Sequence, residues 1–107
     1  MRIAAIQDSP VFLDRSATLN IVQKRIAEAG KGGADLIAFP EVFVSGYPVW
    51  IDLTDASAWE AKTQQEAFAY YLDQSVEING SEFVGVIEAV REANAFTYVG
   101  VVERAAS

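Results

Sequence analysis

Glu41 is the carboxylate in this 107-residue chain whose setting is best suited to chemistry. It follows the apolar run Leu36-Ile37-Ala38-Phe39 and Pro40, and it precedes a loop punctuated by Gly46 and Pro48. An acid at the C-terminal end of a buried strand lies where open α/β sheets place their ligands. Its apolar and aromatic neighbours are expected to draw it out of water, the setting in which a carboxylate serves as a general base. A structural reading stands beside this one, in which a strand-end acid caps a helix or pairs with an arginine.

Other candidates are weaker. Tyr47 and Trp50 follow Glu41 on the same loop and could line a pocket, but packing of the loop on the sheet is the better reading for both. Gly30-Lys31-Gly32-Gly33 has the glycine content of a phosphate loop, yet it closes a helical pattern instead of opening one, which makes it a helix C-terminus. Asp52, Asp55, Glu60 and Glu66 could be imagined as a metal cluster. Scattered acids near helix starts are more often dipole partners on a solvated face. Glu103-Arg104 reads as a surface ion pair with no catalytic role.

Composition narrows the function classes. Half of the residues are hydrophobic and the charged fraction is 21%, which suits one small folded domain or part of one. A net charge of −7 argues against nucleic acid, whose phosphates need clustered Lys and Arg. No basic amphipathic face is present for a membrane surface, and the apolar run after Met1 is far too short for a signal peptide or a spanning helix. A cytoplasmic protein is expected. The chain has no cysteine and no histidine, so it holds no disulfide, no thiol nucleophile and no Ser-His dyad, and it lacks the commonest metal ligand.

The elements that must position Glu41 follow from periodicity. Ile3 to Gln7 reads as a buried strand stopped before Pro10. A helix begins near Asp14, with Asp14 or Ser16 as N-cap and with Leu19, Val22, Ile26 and Ala29 on one apolar stripe. Gly30 and Gly32-Gly33 end it. Leu36 to Phe39 is a second buried strand, and strand, helix and strand together make a βαβ unit of two parallel neighbours. Gly46 to Thr54 reads as loop. A second helix follows, with Asp55 or Ser57 as cap and Phe68, Tyr71, Leu72 and Val76 on its stripe. After the Asn79-Gly80 turn, Ser81 can cap a third helix with Phe83, Val86, Ile87 and Val90 inward. Phe96 to Val102 is rich in β-branched and aromatic residues and reads as a third strand. No repeat or low-complexity linker divides the chain.

Phe39-Pro40-Glu41 followed by Gly46-Tyr47-Pro48 and Trp50 resembles the first catalytic motif of the nitrilase (carbon–nitrogen hydrolase) superfamily, in its nitrile-hydrolysing branch. Ile3-Ala4-Ala5-Ile6-Gln7 with Pro10, Gly33 to Phe39, and Gly100-Val101-Val102-Glu103-Arg104 resemble further segments of that family in the same order. The resemblance implies an α/β fold, the N-terminal part of an α-β-β-α sandwich. It implies a Glu-Lys-Cys mechanism in which Glu41 is the general base, with no cofactor and no metal. The partners it implies are a small-molecule nitrile or amide and, for the full-length protein, other copies in a homo-oligomer. The family's cysteine is absent, its lysine lies beyond the Glu-Arg segment, and Lys24, Lys31 and Lys62 are all upstream of that point. Residues 1–107 are therefore read as the N-terminal portion of a single, incomplete domain, expected to be inactive alone. Nitrile hydrolysis to a carboxylic acid and ammonia is the leading function. An aliphatic amidase, a cyanide hydratase, or an inactive short chain acting as an interaction module are the alternatives, and no substrate-binding residue is assigned.

Overall fold

The structure, a computed structural model, describes residues 1–55, 58 and 60–105. Ile3–Ala5 (β1), Leu36–Ala38 (β2) and Phe96–Tyr98 (β3) form a parallel sheet with β2 in the centre. The register aligns Ile3, Leu36 and Phe96 in one row, Ala4, Ile37 and Thr97 in the next, and Ala5, Ala38 and Tyr98 in the third. The fold is α/β, with the expected parallel βαβ unit at its start.

The connection from β1 to β2 is the helix Arg15–Lys31 (α1). Asp14 is its N-cap, accepting from the Ala17 N–H at 3.0 Å, so the first of the two proposed caps is the one used. Leu19, Val22 and Ile26 are buried on the expected stripe. At the far end the Gly32 N–H reaches back to the Glu28 carbonyl at 3.1 Å, and Gly33 takes φ +78°. That is the helix C-terminus read from the glycines, except that Gly30 lies inside the last turn. Its task is different: a Cβ there would fall 2.8 Å from the Ala93 Cβ. Ala93 ends the helix Val84–Ala93 (α4), which packs beside α1 over one face of the sheet.

Strand side chains alternate between faces, and here the two faces have different fates. Ile37, on the helix side, is fully buried with Val22, Ile26 and Val86. The opposite face is open, with Ile3 61%, Phe96 84% and Tyr98 71% exposed. This corrects the reading of Ile3 to Gln7 as a buried strand, because a residue run apolar on both faces is buried on both only when both are covered. The accessible surface of 6903 Å² agrees: a closed monomer of 11.6 kDa has about 5,800 Å².

The middle of the chain departs furthest from expectation. Trp50–Leu53 is a short helix (α2) inside the segment read as loop. The next helix, Lys62–Asp73 (α3), starts later than proposed, and Ala61 stands at its cap position with no side-chain cap. Asp55 is therefore not its cap, and Ser57 lies outside the described residues. Tertiary contacts set this start instead: Gln64 Nε2 donates to Thr54 Oγ1 at 2.9 Å, and the Trp50 ring meets Phe68 and Tyr71 edge-on at centroid distances of 5.4 and 5.1 Å. Leu72 is exposed, and Val76 lies beyond the helix, where its N–H donates to the Val102 carbonyl at 2.7 Å. Ser81 opens a 3-10 turn, Ser81–Phe83, and caps nothing with its side chain.

Candidate active site at the end of the central strand

Pro40, Glu41, Val42 and Phe43 form a turn that leaves the C-terminal end of β2 and comes back to the sheet. Two backbone anchors hold its ends. Before it, the Phe39 N–H donates to the Tyr98 carbonyl at 2.9 Å. After it, the Val44 N–H donates to the Gly100 carbonyl at 3.0 Å, and the Val102 N–H donates to Val44 at 3.3 Å, which makes an isolated parallel bridge between Val44 and Val101. From Phe39 to Val44 the chain advances five residues while its partner advances two, from Tyr98 to Gly100. The surplus stands out from the sheet, and Glu41 is on it.

Phe39 and Phe43 bracket the turn. Both are buried, with ring centroids 5.5 Å apart, and they pull its two ends into the core. Val42 then takes φ +46°, a left-handed conformation that a β-branched residue adopts only under constraint. Below the turn lies Gly100. A Cβ built on Gly100 would come 2.5 Å from the Pro40 oxygen, 2.5 Å from the Val42 nitrogen and 3.0 Å from the Glu41 carbonyl carbon.

The segment after the turn is fastened as firmly. Ser45, fully buried at φ +80°, donates from Oγ to the Gln74 carbonyl, and its own carbonyl accepts from the Leu13 N–H at 3.0 Å. Gly46 takes φ +90° beneath the Phe12 ring, where a Cβ would be 2.5 Å from Cδ2. The Tyr71 hydroxyl, raised in pKa by burial, donates to the Gly46 carbonyl at 3.2 Å. Trp50 packs as expected, although against α3 and not the sheet. Tyr47 is 53% exposed, so the packing expected of it is at most partial.

Glu41 itself is exposed, which corrects the expectation of an acid drawn out of water by its neighbours. The two phenylalanines point inward while the turn carries the carboxylate outward. Among the described residues it takes part in no ion pair, so neither alternative structural use of a strand-end acid is realised within them. Its C-terminal strand position is where an α/β sheet offers room for a ligand.

A model of the carbon-nitrogen hydrolase family matches residues 2–107. The chain belongs to the carbon-nitrogen hydrolase family. An arylacetonitrilase of Aspergillus oryzae is 33% identical over 103 residues, covering 96% of this carbon-nitrogen hydrolase chain and 29% of the relative. An aliphatic nitrilase of Rhodococcus rhodochrous is 32% identical over 105 residues, covering 96% of the chain and 27% of the relative. A nitrilase of Pseudomonas syringae pv. syringae is 34% identical over 104 residues, covering 97% and 30%. The chain thus spans less than a third of the length of these curated relatives.

Glu66 pairs with Lys62 at 3.8 Å on the α3 surface, and among the described residues no group of three or more ligating side chains could hold a metal ion. Arg104 reaches Glu77 at 3.0 Å, not its neighbour Glu103, which corrects the reading of a Glu103-Arg104 pair. Among the described residues no helix is long and apolar enough to cross a membrane.

Two features escaped the sequence reading. Arg15 donates to the carbonyls of Asp73 (2.6 Å) and Ser75 (2.9 Å) and to Glu82 (2.5 Å), tying the start of α1 to the end of α3. With partners up to 67 residues away, it leaves no local signal. Gly100 did leave one, since a lone glycine in a strand pattern marks a bulge or a close backbone approach.

Proposed function

We propose that this chain is the N-terminal portion of a single hydrolase domain that converts a nitrile to a carboxylic acid and ammonia, with Glu41 as its general base. The observation that carries the reading is Glu41 itself, held on a constrained surplus turn at the C-terminal end of the central strand of a chain matching the family over 2–107. A nitrile carbon needs a strong nucleophile, and this chain contains no cysteine. In the Glu-Lys-Cys constellation that the family resemblance implies, the nucleophile is a cysteine thiol outside these residues. Glu41 takes its proton, the thiolate adds to the nitrile carbon, and the proton passes to the nitrile nitrogen to give a thioimidate and a free carboxylate. Addition of water, assisted by Glu41, expels ammonia and leaves a thioester; a second water releases the acid and regenerates the thiol. A lysine, also outside these residues, stabilises the charge that develops on the tetrahedral intermediate.

The open face of the sheet supports the domain reading, because a β face bearing Ile3, Leu36, Phe96 and Tyr98 needs an apolar cover to be stable in water. The remaining sheet of an α-β-β-α sandwich supplies one. The full-length protein then works in the cytoplasm as a homo-oligomer, on a small-molecule substrate and without nucleic-acid or membrane partners. An aliphatic amidase or a cyanide hydratase would use the same carboxylate.

The test is ammonia release by the full-length protein carrying this segment, with phenylacetonitrile and phenylacetamide as probes. Release from the nitrile that disappears in Glu41→Gln supports the assignment. Release from the amide alone moves the reading to an amidase, and near-parental turnover by a folded Glu41→Gln overturns it.

A further inference from the structure

We propose that Gly100 is a positioning residue for Glu41: by offering no side chain beneath residues 40–42, it lets the turn lie directly on β3's extension and sets where the carboxylate stands. The inference rests on Glu41 being the base, and it adds what determines that base's position.

Three observations carry it. The atoms a Gly100 Cβ would meet are backbone: the Pro40 oxygen and Val42 nitrogen at 2.5 Å, and the Glu41 carbonyl carbon at 3.0 Å. A flexible side chain could swing away from such an intrusion, but backbone can yield only by moving the turn. The turn cannot absorb the shift at its ends, since Phe39 is tied to Tyr98, Val44 is tied to Gly100 and Val102, and both bracketing phenylalanines are in the core. Nor can it relax easily between them, because Val42 already stands at φ +46°. Displacement therefore falls on Glu41.

Glycine is not needed at position 100 for its backbone angles. Only Gly33 and Gly46 among the glycines have positive φ. Alanine can adopt the Gly100 conformation, so a substitution there tests space and not backbone strain. Moving a Cβ from 2.5 Å to ordinary contact requires about 1 Å of displacement, and a misplacement of that size costs about a hundredfold in rate. Gly85 is the natural comparison. A Cβ there would also be crowded, at 2.6 Å, but by the end of the flexible Gln23 side chain on the α1–α4 side.

The experiment uses the full-length protein carrying this segment, with phenylacetonitrile and phenylacetamide as probes. The variants are Gly100→Ala, Gly85→Ala, Glu41→Gln, Val42→Gly and the double variant Gly100→Ala with Val42→Gly, in which the turn is free of its left-handed strain. The expected result is a folded Gly100→Ala with kcat down about a hundredfold and KM near the parent's, the signature of a misplaced reacting group and not of lost binding. Gly85→Ala keeps the parental kcat. If Gly100→Ala does not fold, the double variant is read against Val42→Gly alone: its turn still rests on the alanine methyl with both ends tied to the sheet, so its kcat falls about a hundredfold below that of the single variant. A kcat within about twofold of the parent in Gly100→Ala, beside an inactive Glu41→Gln, overturns the positioning role alone. Failure of both alanine-100 proteins to fold also overturns it, because Gly100 then serves the fold and not the carboxylate. Turnover by a folded Glu41→Gln instead sinks the base assignment, and the positioning role with it.

Discussion

Gly30 of α1 and Ala93 of α4 meet so closely that a single added carbon on Gly30 would lie 2.8 Å from the Ala93 Cβ and 3.0 Å from its Cα. Two effects compete at this helix contact. Glycine inside a helix is worse than alanine by about 1 kcal/mol, whereas overpacking a filled contact costs about 1 to 3 kcal/mol. The obstruction includes backbone, so the steric effect wins. Gly30→Ala is expected to destabilise the protein by about 1 kcal/mol net, read from the denaturant midpoints of parent and variant. A variant more stable than the parent would mean that the helices separate freely.

Arg15→Ala should be costlier. The guanidinium satisfies the carbonyls of Asp73 and Ser75 and holds Glu82, and its removal leaves acceptors without donors at the junction of α1, α3 and the 3-10 turn. The expected loss is roughly 2 to 3 kcal/mol, measured by thermal or chemical unfolding. A change below the scatter of surface substitutions would show that water replaces the arginine without penalty.

The same arginine makes a prediction about acid. Its hydrogen bond holds the Glu82 carboxyl below the usual carboxylate range, and Arg25 does the same for Asp8. Folded carboxyls with lowered pKa bind protons less readily than unfolded ones. Their contribution is thus fully present above the ordinary value, 4.5 for Glu82 and 3.8 for Asp8, and is lost as pH falls through the folded values. Stability should decline with acid below about pH 4.5. Glu82→Gln should flatten that decline while lowering stability at neutral pH. An unchanged acid limb in the variant would remove Glu82 from the account.

The base assignment predicts an uneven response among the acids. In the full-length protein, Glu41→Gln should lower kcat by about a hundredfold or more with the fold intact, while Glu60→Gln and Glu66→Gln leave it near the parent's. The isolated 107-residue chain should release no ammonia from a nitrile at any pH, because it has no thiol and no histidine to activate its hydroxyls. Ammonia above a Glu41→Gln control would show a different chemistry.

The open sheet face should make the isolated chain self-associate or bind hydrophobic dyes. Phe96 and Tyr98 are the most exposed aromatics on it, so Phe96→Lys with Tyr98→Lys should reduce association at little cost in folding, seen by sedimentation and dye fluorescence. A parent chain that is monomeric, dye-silent and cooperatively melting would show that the face needs no cover.

Features decided within a few residues could be read from the chain itself. The apolar spacing of Leu19, Val22 and Ile26, the Asp14 cap and the glycines at 32 and 33 define α1 because i, i+3 and i+4 neighbours and orphan end groups are local. The β-branched and apolar runs on either side of it pointed to parallel neighbours and put Glu41 at the end of the second strand, whereas the pairing of β3 on its far side is what made that strand central. The family resemblance rested on the same short segments. Contacts between distant residues were legible only in three dimensions. Whether Leu36 and Ile37 are both buried depends on which face receives a helix, and the start of α3 depends on where Trp50 and Gln64 find partners. Arg15 is defined by atoms 58 to 67 residues away. So is the constraint on Glu41: its place at the strand end follows from the order of residues, but its pose depends on a glycine 59 positions later that leaves its turn just enough room.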